Sequence, residues 1–266
     1  MPYQIWLTIL VFIPLIALIV IGFSNYNSSI DLVDLNLTLS NLHLLIESQT
    51  LVAYKNSFLF ASVTTLVCFV LGYLVAYQIK QSKFKNKFVL LTIIILPMWS
   101  NLILRTESLL NIMEKNNILN SIIGFSIFGD IAGTQAAVLF GLIFTYMPFM
   151  ILPIYTALEK IDFSLIEASN DLGLTPFMTF WKVTFPLSLK GVITGSIMVF
   201  LSTIAGFAVP KILGKGNLVF IGNIIDTKFL YTTFNDGSLL AIVILVFILG
   251  ALLIITKIDK EGETLL

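Results

Sequence analysis

Hydrophobic residues are gathered into six long segments, separated by shorter polar stretches. Each segment has roughly the 17 to 25 residues that a helix needs to cross a bilayer, and none contains Asp, Glu, Lys, Arg or His. The pattern predicts an all-α polytopic membrane protein with one transmembrane domain, residues 1–266. The six predicted spans cover about residues 5–23, 57–79, 88–104, 134–158, 191–210 and 238–256.

The composition agrees with a membrane protein. The 266 residues are 58% hydrophobic and 11% charged, with a formal net charge of zero, whereas soluble domains average about 25% charged residues. The zero net charge gives no indication of a nucleic-acid partner. The single cysteine, Cys68, lies in an apolar run without a second ligand nearby. We therefore expect no internal disulfide, no metal site and no cofactor.

Lysines define the expected orientation of the chain. Four of them, at positions 80, 83, 85 and 87, follow the second span. Loops rich in Lys and Arg remain in the cytoplasm. With six spans, both termini and the loop at residues 159–190 are then also cytoplasmic. The third span is short, and we expect Arg105 to extend it by reaching the membrane interface.

The loop at 159–190 contains local signals for a short helix. Its apolar residues recur at helical spacing and form one stripe. Ser164, followed three residues later by Glu167, forms a capping-box pattern that predicts a helix start near Ser164. Gly173 can end this helix in the left-handed conformation that costs other residues energy. The stripe consists of Ile161, Leu165, Ala168 and Leu172.

A second short helix is predicted directly after the glycine. Thr175 is a typical N-cap residue, and Pro176 suits the first helical position. This helix should end near Thr184, with Pro186 closing it and the fifth span beginning at Gly191. The small side chains of the first helix should allow another surface to approach closely.

The same loop carries a family resemblance. It reads Glu167-Ala168-Ser169, then Gly173, and, after nine intervening residues, Val183-Thr184-Phe185-Pro186. This arrangement resembles the E-A-A, G, I-x-L-P signature of permease subunits of bacterial ABC importers, with Ser, Val and Phe as mild departures. The resemblance implies an ABC importer permease fold with a cytoplasmic coupling helix.

In that family the coupling helix docks on a separate ATPase subunit, whose closure moves the spans. The resemblance implies that the coupling surface comprises Glu167, Ala168, Ser169, Asp171, Gly173 and Pro186. The chain itself lacks a G-x-x-x-x-G-K-[ST] motif, because Val209 and Gly216 occupy two required positions of the nearest match. We therefore expect a transport subunit and not an enzyme, with ATP hydrolysed by a partner chain.

Three further stretches narrow the resemblance. Residues 96–110, 147–162 and 218–230 are similar to the first of the two permease subunits of spermidine/putrescine importers. This resemblance implies a bacterial inner membrane location and a heterodimer with a second permease. It also implies two ATPase subunits and an extracytoplasmic substrate-binding protein. Permeases for ferric iron, phosphate, sulfate or molybdate share the loop and the six-span layout and stay open as alternatives.

A polyamine cation could be guided by carboxylates and aromatic faces. The candidates are Trp99, Glu107 and Asp226 near the outer mouth, and Tyr146 deeper in the membrane. Each also has an ordinary structural interpretation. Trp99 can be an interfacial tryptophan, and Glu107 can pair with Arg105. Asp226 can be a surface charge, and Tyr146 can be a packing residue.

Two other classes of membrane protein fit the sequence less well. An ion-coupled carrier or channel is expected to carry titratable groups within its spans, and the six predicted spans have none. A membrane enzyme would need a catalytic cluster, whereas the single histidine, His43, lies in an outer loop. Neither class accounts for the pattern at residues 167–186.

Overall fold

The computed structural model describes residues 2–26, 36–114 and 130–258. These residues form helices joined by short connections, and the β-structure among them is one isolated bridge between Ser24 and Leu37. The predicted all-α class is confirmed for this part of the chain.

Eleven α-helices follow one another along the described residues. They are α1 Pro2–Gly22, α2 Ser48–Gln81, α3 Lys87–Ile95, α4 Leu102–Met113, α5 Gln135–Glu159, α6 Phe163–Asp171, α7 Pro176–Thr179, α8 Phe185–Ala205, α9 Ala208–Leu213, α10 Ile221–Leu230 and α11 Phe234–Ile258. Short 3₁₀ helices cover Ser40–Ile46 and Leu96–Trp99, and a π-helix covers Phe180–Thr184.

Four helices in the described part of the chain are long and apolar enough to cross a bilayer. A fifth span results if the bent pair Lys87–Trp99 and Leu102–Met113 is counted as one, and Trp6–Gly22 is apolar but shorter. The six predicted spans therefore hold approximately. The four long helices are Ser48–Gln81, Gln135–Glu159, Pro176–Ala205 and Phe234–Leu253.

The third predicted span is not one straight helix. Its two halves meet at an angle of 94°, and Pro97, which lacks an N–H, lies just before the break. Asn101 starts the second half, since its side chain accepts hydrogen bonds from two amides of the first turn of α4. Arg105, which we expected to reach the interface, donates from Nη1 to the Pro97 carbonyl across the bend.

The second and fourth predicted spans agree with the observed helices to different degrees. The fourth span was predicted within a residue at each end, because Thr134 caps α5 through a 3.3 Å bond from the amide of Ala137. Helix α2 begins at Ser48, well before the predicted residue 57, since the polar first turns continue the helix.

The chain divides into two compact groups. In the first, α1 packs against α11, and α10 packs against α11. Its core contains Ala53, Ile221, Leu240 and Ile244. The first group contains the described residues within 2–57, Ala205–Phe207 and Val219–Ile258, and the second contains the described residues within Phe58–Ile204 and Ala208–Leu218.

Helix α5 is the central element of the second group. In its most apolar stretch 56% of the residues are buried, against 28–33% in the other three long helices. Glycines let its neighbours approach, because Gly72 of α2 and Gly195 of α8 both contact Met150. A Cβ on Gly191 would lie 2.6 Å from the Cβ of Ala157. Such close approach through small residues is typical of helix packing in membranes.

Candidate functional site

The docking element, as we call residues 163–186, consists of α6, a sharp turn and the helical segment that begins with α7. The turn is at Gly173, whose φ of +79° is confirmed as the predicted left-handed conformation. The amide of Gly173 donates to Asn170 O at 2.8 Å, and the amide of Leu174 donates to Ser169 O at 3.1 Å. This pair of bonds is a Schellman motif, which satisfies two carbonyls at the end of α6.

Helix α6 begins at Phe163, within one residue of the predicted start, but its cap differs from the prediction. Asp162, and not Ser164, is the N-cap, and its carboxylate accepts the amide of Ser164 at 3.0 Å. These hydrogen bonds from Ser164 lower the pKa of Asp162, because they stabilise the charged form. The predicted capping box is therefore wrong, since an equally good capping residue lies two positions earlier. Glu167 is exposed and has no role in this cap.

The start of α7 was predicted correctly and its end was not. Thr175 accepts the amide of Met178 at 3.4 Å, with Pro176 in the first helical position. The helix then continues through Phe180–Thr184 as a π-helix into α8, so that Pro176–Ala205 is a single span. Pro186 does not close a helix. The wider π turn, with the amide of Phe185 donating to Phe180 O, directly precedes Pro186 and accommodates a residue without an N–H inside the continuous helix.

A buried pair of hydroxyls joins the two helices of the docking element. Ser169 donates to Ile166 O at 2.7 Å, and its Oγ lies 2.9 Å from Oγ1 of Thr179. Because the Ser169 proton is used on Ile166, Thr179 is the donor in the second bond. Ser169 is only 4% exposed. Ser169 therefore holds α6 against α7 from within, and its predicted part in the coupling surface stays a prediction.

The outer face of the docking element combines charge with exposed apolar groups. Glu167, Ala168 and Asp171 are exposed on α6. The predicted stripe faces outward along much of its length, with Leu172 83% exposed. Contiguous exposed apolar residues with a polar rim are typical of a protein interaction site. Other large apolar residues exposed on the element are Phe163, Leu165, Phe177, Met178 and Trp181.

A shallow groove of about 370 Å³ runs between the two helices. Ala168 and Ser169 line one side, and Val183 and Pro186 line the other. The two halves of the sequence signature, which are separated by more than a dozen positions along the chain, therefore meet at one groove. The residues between the two halves form the end of α6, the turn at Gly173 and the first part of the second helical segment.

Aromatic rings attach the docking element to α2, a contact that the sequence did not indicate. The ring of Phe180 lies 5.7 Å from that of Tyr73 and 5.3 Å from that of Tyr77, in edge-to-face geometry. Such pairs contribute about 0.5–1.5 kcal/mol beyond their buried area. The hydroxyl of Tyr73 also lies 2.8 Å from Oγ of Ser188 on α8. The docking element is therefore packed against α2, which is itself joined to α8.

The four predicted path residues lie on four different helical elements. Trp99 is 88% exposed just before the break in the third span, and Glu107 is exposed on α4 beyond the break. Tyr146 is 8% exposed and packs near the ring of Phe149 at 6.2 Å. Asp226 lies on α10, in the other compact group.

A larger cleft lies between α5 and α8. Its volume is about 870 Å³ and its walls are mainly apolar. Lys160, Asp162 and Lys190 lie at the end next to the docking element, and Phe149 and Met198 line the far end. Residues from Phe149 to Asp162 span much of α5, so the cleft extends from the docking element toward the middle of the span. Among the residues that the structure describes, no group of three or more His, Cys, Asp or Glu could hold a metal ion.

Sequence comparison identifies relatives over nearly the whole chain. Residues 68–257 match the family described as binding-protein-dependent transport system inner membrane component. The spermidine/putrescine transport system permease protein PotB of Haemophilus influenzae is 30% identical over 96% of this chain and 94% of its own. PotB of Escherichia coli is 31% identical over 85% of this chain and 83% of its own.

Structural comparison finds the same fold. A chain of a bacterial alginate ABC transporter, solved in complex with an alginate-bound periplasmic protein, superimposes with a TM-score of 0.75. The match covers 98% of this chain and 93% of the other at 19% identity. Identity this low supports the shared architecture and says nothing about a shared substrate.

Proposed function

Because the chain belongs to the family of inner membrane components of binding-protein-dependent transport systems, we propose that it is the permease subunit of an ATP-driven polyamine importer. In this proposal the docking element is the surface on which a separate ATPase subunit acts. The observation that carries the proposal is the exposed helix–glycine–helix element, in which both halves of the permease signature line one groove.

The chemistry of the docking element suits a partner protein. Its outer face presents bulky apolar residues, including Leu172 and Phe177, beside the carboxylates of Glu167 and Asp171. Apolar anchors give binding energy, and charges at the rim set orientation and specificity. Ser169 and Gly173 shape the surface from within. Pro186 lines the groove and marks the point where the element passes into the span.

The proposed orientation puts the docking element in the cytoplasm, where ATP is available. The lysine-rich connection at residues 80–87 supports this assignment through the positive-inside rule. With six spans both termini also lie in the cytoplasm. ATP hydrolysis is then the task of the partner chain, and this subunit moves substrate without catalysing a reaction.

The proposed substrate is a polyamine such as spermidine or putrescine. Support comes from the two PotB relatives, which are named for these compounds and align with 85% or more of this chain. Permeation of another small solute, such as ferric iron, phosphate, sulfate or molybdate, is the second candidate, since the same loop serves permeases for these solutes. The low identity to the alginate transporter gives no reason to extend its substrate to this chain.

The proposed path runs between this chain and a second permease, served by two ATPase subunits and an extracytoplasmic binding protein. The cleft between α5 and α8 is the proposed inner part of the path, because it extends into the span from the docking element. At the outer end we assign Trp99, Glu107 and Asp226 to guiding a cation, with Tyr146 deeper.

Uptake and association together test the proposal. Cells lacking this chain should lose uptake of labelled spermidine or putrescine while retaining uptake of phosphate and ferric iron. The tagged chain, purified in mild detergent, should bring down an ATPase of another gene. Retained polyamine uptake together with lost phosphate uptake would exclude the polyamine assignment alone. Absence of any ATPase from a complex that still transports would exclude the ATP-driven mechanism itself.

A further inference from the structure

Two lysines of the lysine-rich connection at residues 80–87 make specific hydrogen bonds, in addition to the positive charge that they contribute to the orientation of the chain. The ammonium group of Lys80 donates to the carbonyl of Leu158, and that of Lys87 donates to the carbonyl of Lys80. Both are half-buried, whereas Lys83 and Lys85, from the same lysine-rich connection, are exposed. The four lysines thus form two pairs with different structural positions.

Each accepting carbonyl belongs to the last turn of a long helix. Leu158 is next to the last residue of α5, and Lys80 is next to the last residue of α2. Carbonyls there lack the i+4 amide donor of the helix interior. The Leu158 carbonyl already accepts the amide of Ile161 at 3.3 Å, and Lys80 adds a charged donor that interacts favourably with the helix dipole. The Leu158 side chain is fully buried, and the contact from Lys80 therefore brings a cation to the packed end of α5.

The location of these contacts connects them to the docking element. Leu158 precedes Asp162, the N-cap of α6, by four positions. At the other end of the element, Phe180 packs against Tyr73 and Tyr77, which lie on α2 one and two turns before Lys80. The final turns of α2 therefore contact the end of α5, shortly before the docking element, and Phe180 in the second helical segment of the element.

We propose that Lys80 is a positioning residue that fixes the end of α2 on the end of α5, shortly before the docking element, and that Lys87 holds this end of α2 in place, so that a push from the ATPase moves both spans together. This inference rests on the proposed ATP-driven function. Without the ammonium contacts the docking element would still bind its partner through its outer face. Its motion would then be absorbed at the end of α5 and would reach the path only in part.

The lysine-rich connection supplies its own matched control. Lys80→Gln with Lys87→Gln removes two positive charges from the connection, and Lys83→Gln with Lys85→Gln removes the same two charges from exposed sites. Both doubles weaken the positive-inside signal equally, whereas only the first removes the contacts to helix ends. Lys80→Arg keeps a charged donor and serves as the conservative variant.

The decisive readout is polyamine transported per ATP hydrolysed by the complex in proteoliposomes with its binding protein. We expect the Lys80/Lys87 double to lower this ratio about five- to tenfold, as expected for loss of charge-assisted hydrogen bonds that are partly exposed, at unchanged ATPase content. The Lys83/Lys85 double should match wild type, and Lys80→Arg should retain most of the ratio. An equal ratio in the two doubles would overturn the inference.

A spectroscopic measurement keeps the test independent of assembly and of the proposed function. Spin labels at Leu172 and Phe84, both exposed, report the distance between the docking element and the connection after α2. The distribution should be narrow in wild type and in the Lys83/Lys85 double, and broad in the Lys80/Lys87 double. Identical distributions in the two doubles would refute the positioning role of Lys80 and Lys87. Failure of the proposed function would instead appear as an absence of substrate-stimulated ATP hydrolysis in every form, wild type included.

Discussion

Gly173→Ala tests whether the shape of the glycine turn matters to the partner. Gly173 has a φ of +79°, and a Cβ added there would meet nothing within 4 Å. The substitution therefore adds no clash, and its cost is that of a left-handed backbone, about 1–2 kcal/mol. An energy of this size corresponds to roughly a 5- to 30-fold change in the population of the turn. We expect the affinity of the permease for its ATPase to fall by up to that factor, measured by titrating labelled ATPase onto permease in nanodiscs.

Gly216→Ala is the matched control for this experiment. Gly216 has a φ of +82°, and a Cβ added to it would likewise meet nothing within 4 Å. Both substitutions therefore carry the same backbone cost and the same change in the unfolded chain, but Gly216 lies outside the docking element. Gly173→Asn should be milder than Gly173→Ala, since asparagine adopts this conformation more readily. Equal ATPase affinity in the two alanine variants would refute the reasoning.

Three further perturbations follow from the packing. Gly191→Ala forces a Cβ against α5 and should destabilise the fold by about 1–3 kcal/mol. Gly250→Ala places a Cβ in open space and should leave the stability unchanged. Thermal unfolding of the two variants in detergent tests the difference. Ser169→Ala leaves the buried hydroxyl of Thr179 without this partner and should cost about 1–3 kcal/mol; hydrogen exchange across the element would show faster opening, and unchanged protection would contradict the assignment. The lowered pKa of Asp162 means that its charged side chain stabilises the start of α6 above the ordinary carboxyl range, and that this stabilisation is lost as the pH falls through the lowered value. Asp162→Asn should abolish this pH dependence. Amide exchange at the start of α6 between about pH 2 and 6 would detect the difference.

The sequence predicted those features that local chemistry determines. The left-handed turn at Gly173 and the Thr175-Pro176 helix start depend on neighbouring residues alone, and the structure confirms both. The capping box at Ser164 was wrong because two capping residues compete within three positions, and Asp162 accepts the amide in question. The spacing of apolar residues does not show which of two neighbouring capping residues begins the helix.

Features that depend on distant contacts could not be read from the sequence. The π-helix that continues the span past Pro186 adjoins the aromatic contacts of Phe180 with α2, and Phe180 and its partners are far apart in the chain. The inward position of Ser169 depends on its bond to Thr179. The lysine run indicated orientation, but nothing in its spacing separated Lys80 from its exposed neighbours.

Cross-linking from the outer face of the docking element tests the central claim most directly. A photo-reactive residue in place of Leu172, which is 83% exposed at the end of α6, would be activated in cells producing the assembled transporter. A second photo-reactive residue at Leu230, 66% exposed on α10, serves as the comparison site. We expect an adduct between position 172 and an ATPase subunit, and none from position 230. An adduct of position 172 with the extracytoplasmic binding protein, or no adduct with any ATP-hydrolysing chain, would contradict it.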